Sequence, residues 1–235
     1  MTEPALLIVG ATHGLGKEIA RRYAEQGWSV VLTGRDGSAA KSVATELGGD
    51  TRGIALDLSE PELVADALAD VGAVNHLVLA AIARDTNTLD NYDLDSARYL
   101  VTMKLLGYTA VIRALRERLV ENGSIVLFGG RAKDRPYPGG MTVGTVNAGI
   151  TGLMHALVVQ LAPRRVNAIH PGIVADSPYW SENPEFPETV RKATPTGRSV
   201  TMEDIIDGVD FLIRNQSVNG LDLYVDGGWL RTELQ

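Results

Sequence analysis

Val9-Gly10-Ala11-Thr12-His13-Gly14-Leu15-Gly16 stands between two contrasting patterns. Before it runs the short apolar segment Ala5-Leu6-Leu7-Ile8-Val9. After it, residues 17–26 alternate apolar and charged positions with helical spacing. The pattern reads as strand, glycine turn, helix. Such a turn aims backbone N–H groups and the positive end of a helix dipole at an anion. In this context the anion expected is the pyrophosphate of a dinucleotide.

Outward from this segment, short apolar runs alternate with longer helical patterns, the signature of a parallel α/β sheet. Strands are expected near 6–9, 29–33, 52–56, 76–80, 124–128, 166–169 and 221–225. Helices are expected near 14–26, 37–47, 61–69, 96–119, 144–161 and 202–214. The strands carry Val, Ile and Leu on both alternations, as strands buried on both faces do. Ser59 is expected to cap the third helix, with Pro61 in its first turn. Glu121-Asn122-Gly123 reads as a stop before the fifth strand. Residues 173–200 carry four prolines with Tyr179, Trp180 and Phe186, and read as a long irregular lid loop. The fold class expected is α/β: a single-domain, Rossmann-type, doubly wound parallel sheet over residues 1–235.

The bulk properties narrow the partners. A chain of 235 residues buries about 70–75% of its unfolded surface, enough for a large core. The net charge is −7 with no basic stripe, which argues against nucleic acid. There is no cysteine, so disulfides and thiolate metal sites are excluded. His13, His76, His155 and His170 lack metal-ligand spacing, and His76 and His155 read as surface or helix-interface residues. The apolar N-terminal run is too short for a signal peptide or a membrane span. A cytoplasmic protein without membrane association is expected.

The spacing G-x-x-x-G-x-G over Gly10, Gly14 and Gly16 resembles the fingerprint of the short-chain dehydrogenase/reductase family. Further segments carry the resemblance from about residue 6 to 229: Val166-Asn167-Ala168-Ile169-His170-Pro171-Gly172, Pro195-Thr196-Gly197-Arg198 and Asn219-Gly220-Leu221-Asp222-Leu223-Tyr224-Val225-Asp226-Gly227-Gly228. The resemblance implies a nicotinamide cofactor held by Gly10, Thr12, His13, Gly14, Leu15, Gly16, Arg35, Asp57, Leu58, Ala80, Asn147, Pro171, Gly172 and Ile173. Arg35 follows the second strand, where an NAD site normally places an acid for the ribose 2′-OH. A guanidinium there suits a 2′-phosphate. With His13 it favours NADP(H), NAD(H) remaining possible, and the adjacent Asp36 works against that preference.

The same resemblance implies an Asn-Ser-Tyr-Lys catalytic group. Aligned on the flanking segments, its positions fall on Lys104, Gly130, Val143 and Asn147. The spacing from Gly130 to Val143 is 143 − 130 = 13, the family's serine-to-tyrosine spacing. Lysine and asparagine have thus changed places. Candidate catalytic groups are Lys104, His170 and Tyr137, with His170 also readable as a packing residue. The substrate expected is a small, fairly apolar carbonyl, alcohol or related molecule beneath the 173–200 loop. Two other readings stay open: a catalytically silent NADP(H)-binding sensor or scaffold, and a non-redox lyase or isomerase. Family members assemble as homodimers or homotetramers, and Gly144, Gly149 and Gly152 would permit close helix approach between copies.

Overall fold

The computed structural model describes residues 5–182 and 184–229. Its strands are β1 (Ala5–Val9), β2 (Ser29–Gly34), β3 (Thr51–Ala55), β4 (Val74–Leu79), β5 (Leu119–Phe128), β6 (Arg165–Pro171) and β7 (Asp222–Val225). They form one parallel sheet in the order β3-β2-β1-β4-β5-β6-β7. Side chains of β1 alternate between two cores. Leu7 and Val9 face one cluster, Leu6 and Ile8 the other. Helices α1 (Gly14–Glu25), α2 (Gly37–Leu47) and α9 (Met202–Arg214) cover the second face. On the first lie α3 (Val64–Ala67), α4 (Leu94–Val101), α5 (Tyr108–Leu115) and α6 (Met141–Gln160). α6 is long and apolar enough to cross a membrane by length and composition; here its Val146, Ile150, Met154 and Leu157 enter the core. Strand order reverses between β1 and β4, so the carboxyl ends of these two strands open a crevice at the switch point.

Several local expectations are corrected. Ser59 does not cap a helix: its N–H and hydroxyl donate to Asp57 Oδ1 at 2.9 and 2.7 Å, and α3 begins only at Val64. Glu121-Asn122-Gly123 lies inside β5. Gly123 is needed because β5 passes the Asn75 carbonyl, which a Cβ would approach to 2.7 Å. The helix before it ends at Leu115, where Arg118 takes the Ala114 and Val71 carbonyls at 2.7 and 2.8 Å. Between α4 and α5 the chain adopts a π-helical turn, Thr102–Gly107, an irregularity frequent at functional sites. The 173–200 stretch is not irregular throughout. It contains α7 (Pro178–Ser181) and α8 (Glu185–Ala193). Pro178 and Pro187 sit in first turns, where a missing N–H costs nothing, and α8 is acidic at its start and basic at its end. His76 belongs to β4, half-buried, bonded to Ser124 Oγ at 2.8 Å, while His155 is exposed on α6.

Candidate active site at the carboxyl ends of the strands

The glycine turn is built by close approach. Gly10 has φ +83°, and its N–H and that of Ala11 donate to the Thr33 carbonyl at 3.2 and 2.8 Å. A Cβ on Gly16 would lie 2.2 Å from the Gly10 oxygen, so α1 can start against the turn only without a side chain there. His13 precedes α1 in an extended conformation and makes no side-chain cap, and the first turn carries no acid. The amides of Gly14, Leu15 and Gly16 therefore open toward the crevice uncapped by any side chain, a cradle that suits a phosphate anion. Thr12 borders it, with its hydroxyl 3.2 Å from His13 Nδ1. Pro178 of α7 stands over this cradle, 4.0 Å from the position of a Cβ on Gly14.

At the end of β2, Arg35 is exposed and bonds Tyr99 Oη at 3.2 Å. Asp36 does not compete for it. Its Oδ1 accepts from the Ser38 and Ala39 amides at 2.7 and 3.2 Å and caps α2. The Ser38 hydroxyl, donating to the same oxygen at 2.6 Å, and after it these amides hold the Asp36 carboxyl below the usual range. Asp57 closes the next strand with Oδ1 spent on Ser59. Leu58 is buried in the core beside Gly107, so only its backbone could meet a ligand. Ala80 continues β4 and donates to the Val9 carbonyl at 2.9 Å. Pro171 ends β6 and Gly172 and Ile173 follow it, all half-buried, with the Gly172 amide on the Val225 carbonyl at 2.9 Å.

The groups expected to carry chemistry separate sharply. Lys104 lies in the π turn and is 2% exposed. Its Nζ donates to the Ala81 carbonyl at 3.4 Å, which also accepts Tyr108 Oη at 2.8 Å. The Ala81 backbone in turn packs against Gly10, tying the lysine to the glycine turn. Burial, with help from the Arg84 charge, pulls the Lys104 ammonium down to about 7. Asn147 is 6% exposed on α6 and abuts Gly130. Val143 is buried and apolar.

His170 leaves the list of donors. It is fully buried, its Nδ1 accepts the Gly130 amide at 3.1 Å, and its Nε2 bonds Asp222 Oδ1 at 2.7 Å. The first bond makes Nδ1 the acceptor, so the proton sits on Nε2. Burial also holds the imidazole below its ordinary value. Thr151 and Lys133 complete its surroundings: Thr151 donates to Asp222 and Lys133 Nζ is 3.8 Å away from it. Tyr137 does not reach inward. It is half exposed, with its ring against Gly140 and its hydroxyl raised by burial. It stands at the rim with Tyr179, over whose ring Arg84 lies at 4.1 Å. Asp176 holds the start of α9 through the Met202 amide at 2.8 Å.

Sequence reasoning missed Arg84, Asp85 and Tyr108. Both carboxylate oxygens of Asp85 are buried without a hydrogen-bond partner among the described residues. The available signal was position, since Arg84 and Asp85 follow β4 at the strand edge where α/β ligands bind.

Known proteins share this architecture. The family model described as Enoyl-(Acyl carrier protein) reductase matches residues 10–230. The 3-oxoacyl-(acyl-carrier-protein) reductase of Bos taurus is 27% identical, covering 94% of this chain and 95% of that protein. The 3-oxoacyl-(acyl-carrier-protein) reductase FabG of Aquifex aeolicus is 29% identical with the same coverage, 94% and 95%. A solved structure described as a short chain dehydrogenase/reductase family protein superposes with a TM-score of 0.89 at 28% identity, covering 98% of this chain and 99% of that one.

Proposed function

The chain belongs to the short-chain dehydrogenase/reductase family, and from that premise we propose that it binds NADP(H) and transfers hydride to or from a small apolar carbonyl, alcohol or related substrate. The observation that carries this reading is the uncapped start of α1 against the Gly10–Gly16 turn, at the point where strand order reverses. The pyrophosphate would lie on the amides of Gly14, Leu15 and Gly16. Arg35 would take the 2′-phosphate, with His13 beside it, since Asp36 is withdrawn into the α2 cap. Thr12, Asp57, the Leu58 backbone, Ala80, Pro171, Gly172 and Ile173 would complete the cofactor site. When bound, the nicotinamide supplies or accepts the hydride.

The chain's own contribution at the reacting oxygen falls to Lys104. A buried ammonium that titrates near neutrality can give a proton to an alkoxide and recover it from solvent. Tyr137, Arg84 and Tyr179 of α7 would form the rim of the substrate space. The active site is divergent on this reading: Lys104, Gly130, Val143 and Asn147 stand where the family resemblance places asparagine, serine, tyrosine and lysine. Buried, apolar Val143 favours one second reading, an NADP(H)-binding sensor or scaffold without turnover. The protein would act in the cytoplasm on a small molecule, as a homodimer or homotetramer.

Two measurements test this. Fluorescence titration should give tighter binding for NADPH than for NADH. Single-turnover loss of nicotinamide absorbance should follow over a panel of ketones, 3-oxoacyl thioesters, enones and imines. Tight NADPH binding with no oxidation across the panel favours the sensor; product formed without nicotinamide oxidation favours a lyase or isomerase; no NADPH binding ends the proposal.

A further inference from the structure

Gly130 has φ 170° and ψ 160°, extended backbone that any residue adopts. A Cβ on Gly130 would meet the Asn147 carboxamide, 2.6 Å from its Nδ2 and 3.3 Å from its Cγ, so a side chain there requires that amide to turn aside. The backbone is not free to retreat. His170 lies on its other side, 2.3 Å from where a Cβ on Gly129 would sit, and holds the Gly130 amide at 3.1 Å. That imidazole is itself anchored by Asp222. The Asn147 carboxamide therefore occupies the volume in which a residue-130 side chain would begin.

Asn147 is 6% exposed, and its carboxamide makes no hydrogen bond to any described residue. Its amide atoms are not among the fully buried unpartnered ones, so the carboxamide keeps an opening through which a group from outside the chain can meet it. It lies two residues before Gly149, against whose Cα the Leu105 side chain packs: a Cβ there would be 3.0 Å from Leu105 Cδ2. The same contact brings the Lys104-bearing turn alongside α6.

We infer that the Asn147 carboxamide orients the substrate's reacting oxygen, donating its N–H to a carbonyl rather than serving the cofactor ribose. This rests on the hydride-transfer reading above. The carbonyl would receive one hydrogen bond from Asn147 and its proton from Lys104.

The test uses the full chain, NADP+ and an acetoacetyl thioester with an isotope-labelled ketone, read by difference infrared spectroscopy. A donated hydrogen bond lowers the carbonyl stretching frequency. The wild type should show the lowered band. Asn147→Ala should lose it while NADPH affinity changes by less than about threefold. Because truncation of a buried amide can unfold a chain, Gly130→Ser is made alone and with Asn147→Ala. Alone it should lower the melting temperature by collision with the amide. Combined with Asn147→Ala it should regain stability and restore the band, the serine hydroxyl standing where the amide stood. A loss of NADPH affinity beyond about tenfold in Asn147→Ala, with the band retained, overturns the inference. So do additive melting shifts in the double variant. A wild type that binds NADPH but shows no lowered band removes this inference alone, whereas a wild type that binds no NADPH removes the hydride-transfer reading beneath it.

Discussion

Lys104 is the residue at which the proposed chemistry and the stability of this protein conflict. A buried ammonium with one long bond to a carbonyl destabilises the fold whenever it is charged. The sign follows from its two protonation equilibria. Folded, it gives up its proton at about 7; unfolded, it does so at its ordinary 10.5. Below the folded value both states are protonated and the full cost applies. As pH rises from about 7 toward 10.5 the unfolded chain holds the extra proton, and stability increases. Lys104→Met should thus stabilise by about a few kcal/mol at pH near 6 and progressively less above neutrality. Thermal melts of both proteins across pH 6–10 check it, and a parallel melting profile would refute it. Arg35 is the opposite case, an exposed cation whose neighbouring acid is engaged elsewhere. Arg35→Ala should weaken NADPH by about tenfold to a hundredfold while leaving NADH nearly unchanged, since a charged hydrogen bond is worth about 1.5–3 kcal/mol. Titration of both cofactors decides.

Elements impose their own constraints. The proposed phosphate cradle depends on α1 beginning directly on β1's turn, and that junction tolerates no methyl group at Gly16. Gly16→Ala should open the turn and abolish measurable NADPH binding, with a lowered melting temperature; retained affinity would show that the amides are not the anion site. α9 carries a capping box in which Thr201 accepts from the Asp204 amide at 3.3 Å and the Asp204 carboxylate accepts from the Thr201 amide at 2.9 Å. The Arg198 guanidinium, bonded to both its oxygens, holds the Asp204 carboxyl well below the usual carboxylate range. Thr201→Ala should cost about 1 kcal/mol in chemical denaturation. The lid helices show how composition misleads. Four prolines and three large aromatics read as a loop, yet two of those prolines sit in first turns and the rings of Tyr179, Trp180 and Phe186 pack on one another.

At the scale of the molecule, assembly was read from glycines that the fold uses otherwise. Gly144 packs against the Ala132 carbonyl and Gly149 against Leu105 of the same chain; only Gly152 faces open space. What supports a homo-oligomer instead is exposed apolar surface: Val101 and Leu106 before α5, and Met141 and Val159 on α6. Light scattering should find a dimer or tetramer, and Leu106→Glu with Val159→Glu should shift it toward monomer. A monomeric wild type would end that proposal.

The amino-acid sequence by itself determined the strand alternation, the glycine turn and the family, because apolar periodicity and close backbone approach are local demands written at fixed spacing. It also singled out Lys104, Gly130, Val143 and Asn147 by resemblance. Tertiary structure alone decided what those residues face. Burial, and therefore the titration of Lys104, depends on Ala81 and Tyr108 from other elements. The withdrawal of His170 depends on Gly130 and Asp222, 40 and 52 residues away in the chain. The withdrawal of Asp36 from Arg35 needed the start of α2 to form. Partners distant in sequence leave no periodic trace, so the strand–turn–helix of Val9–Gly16 was legible from the chain and the surroundings of Lys104 and His170 were not.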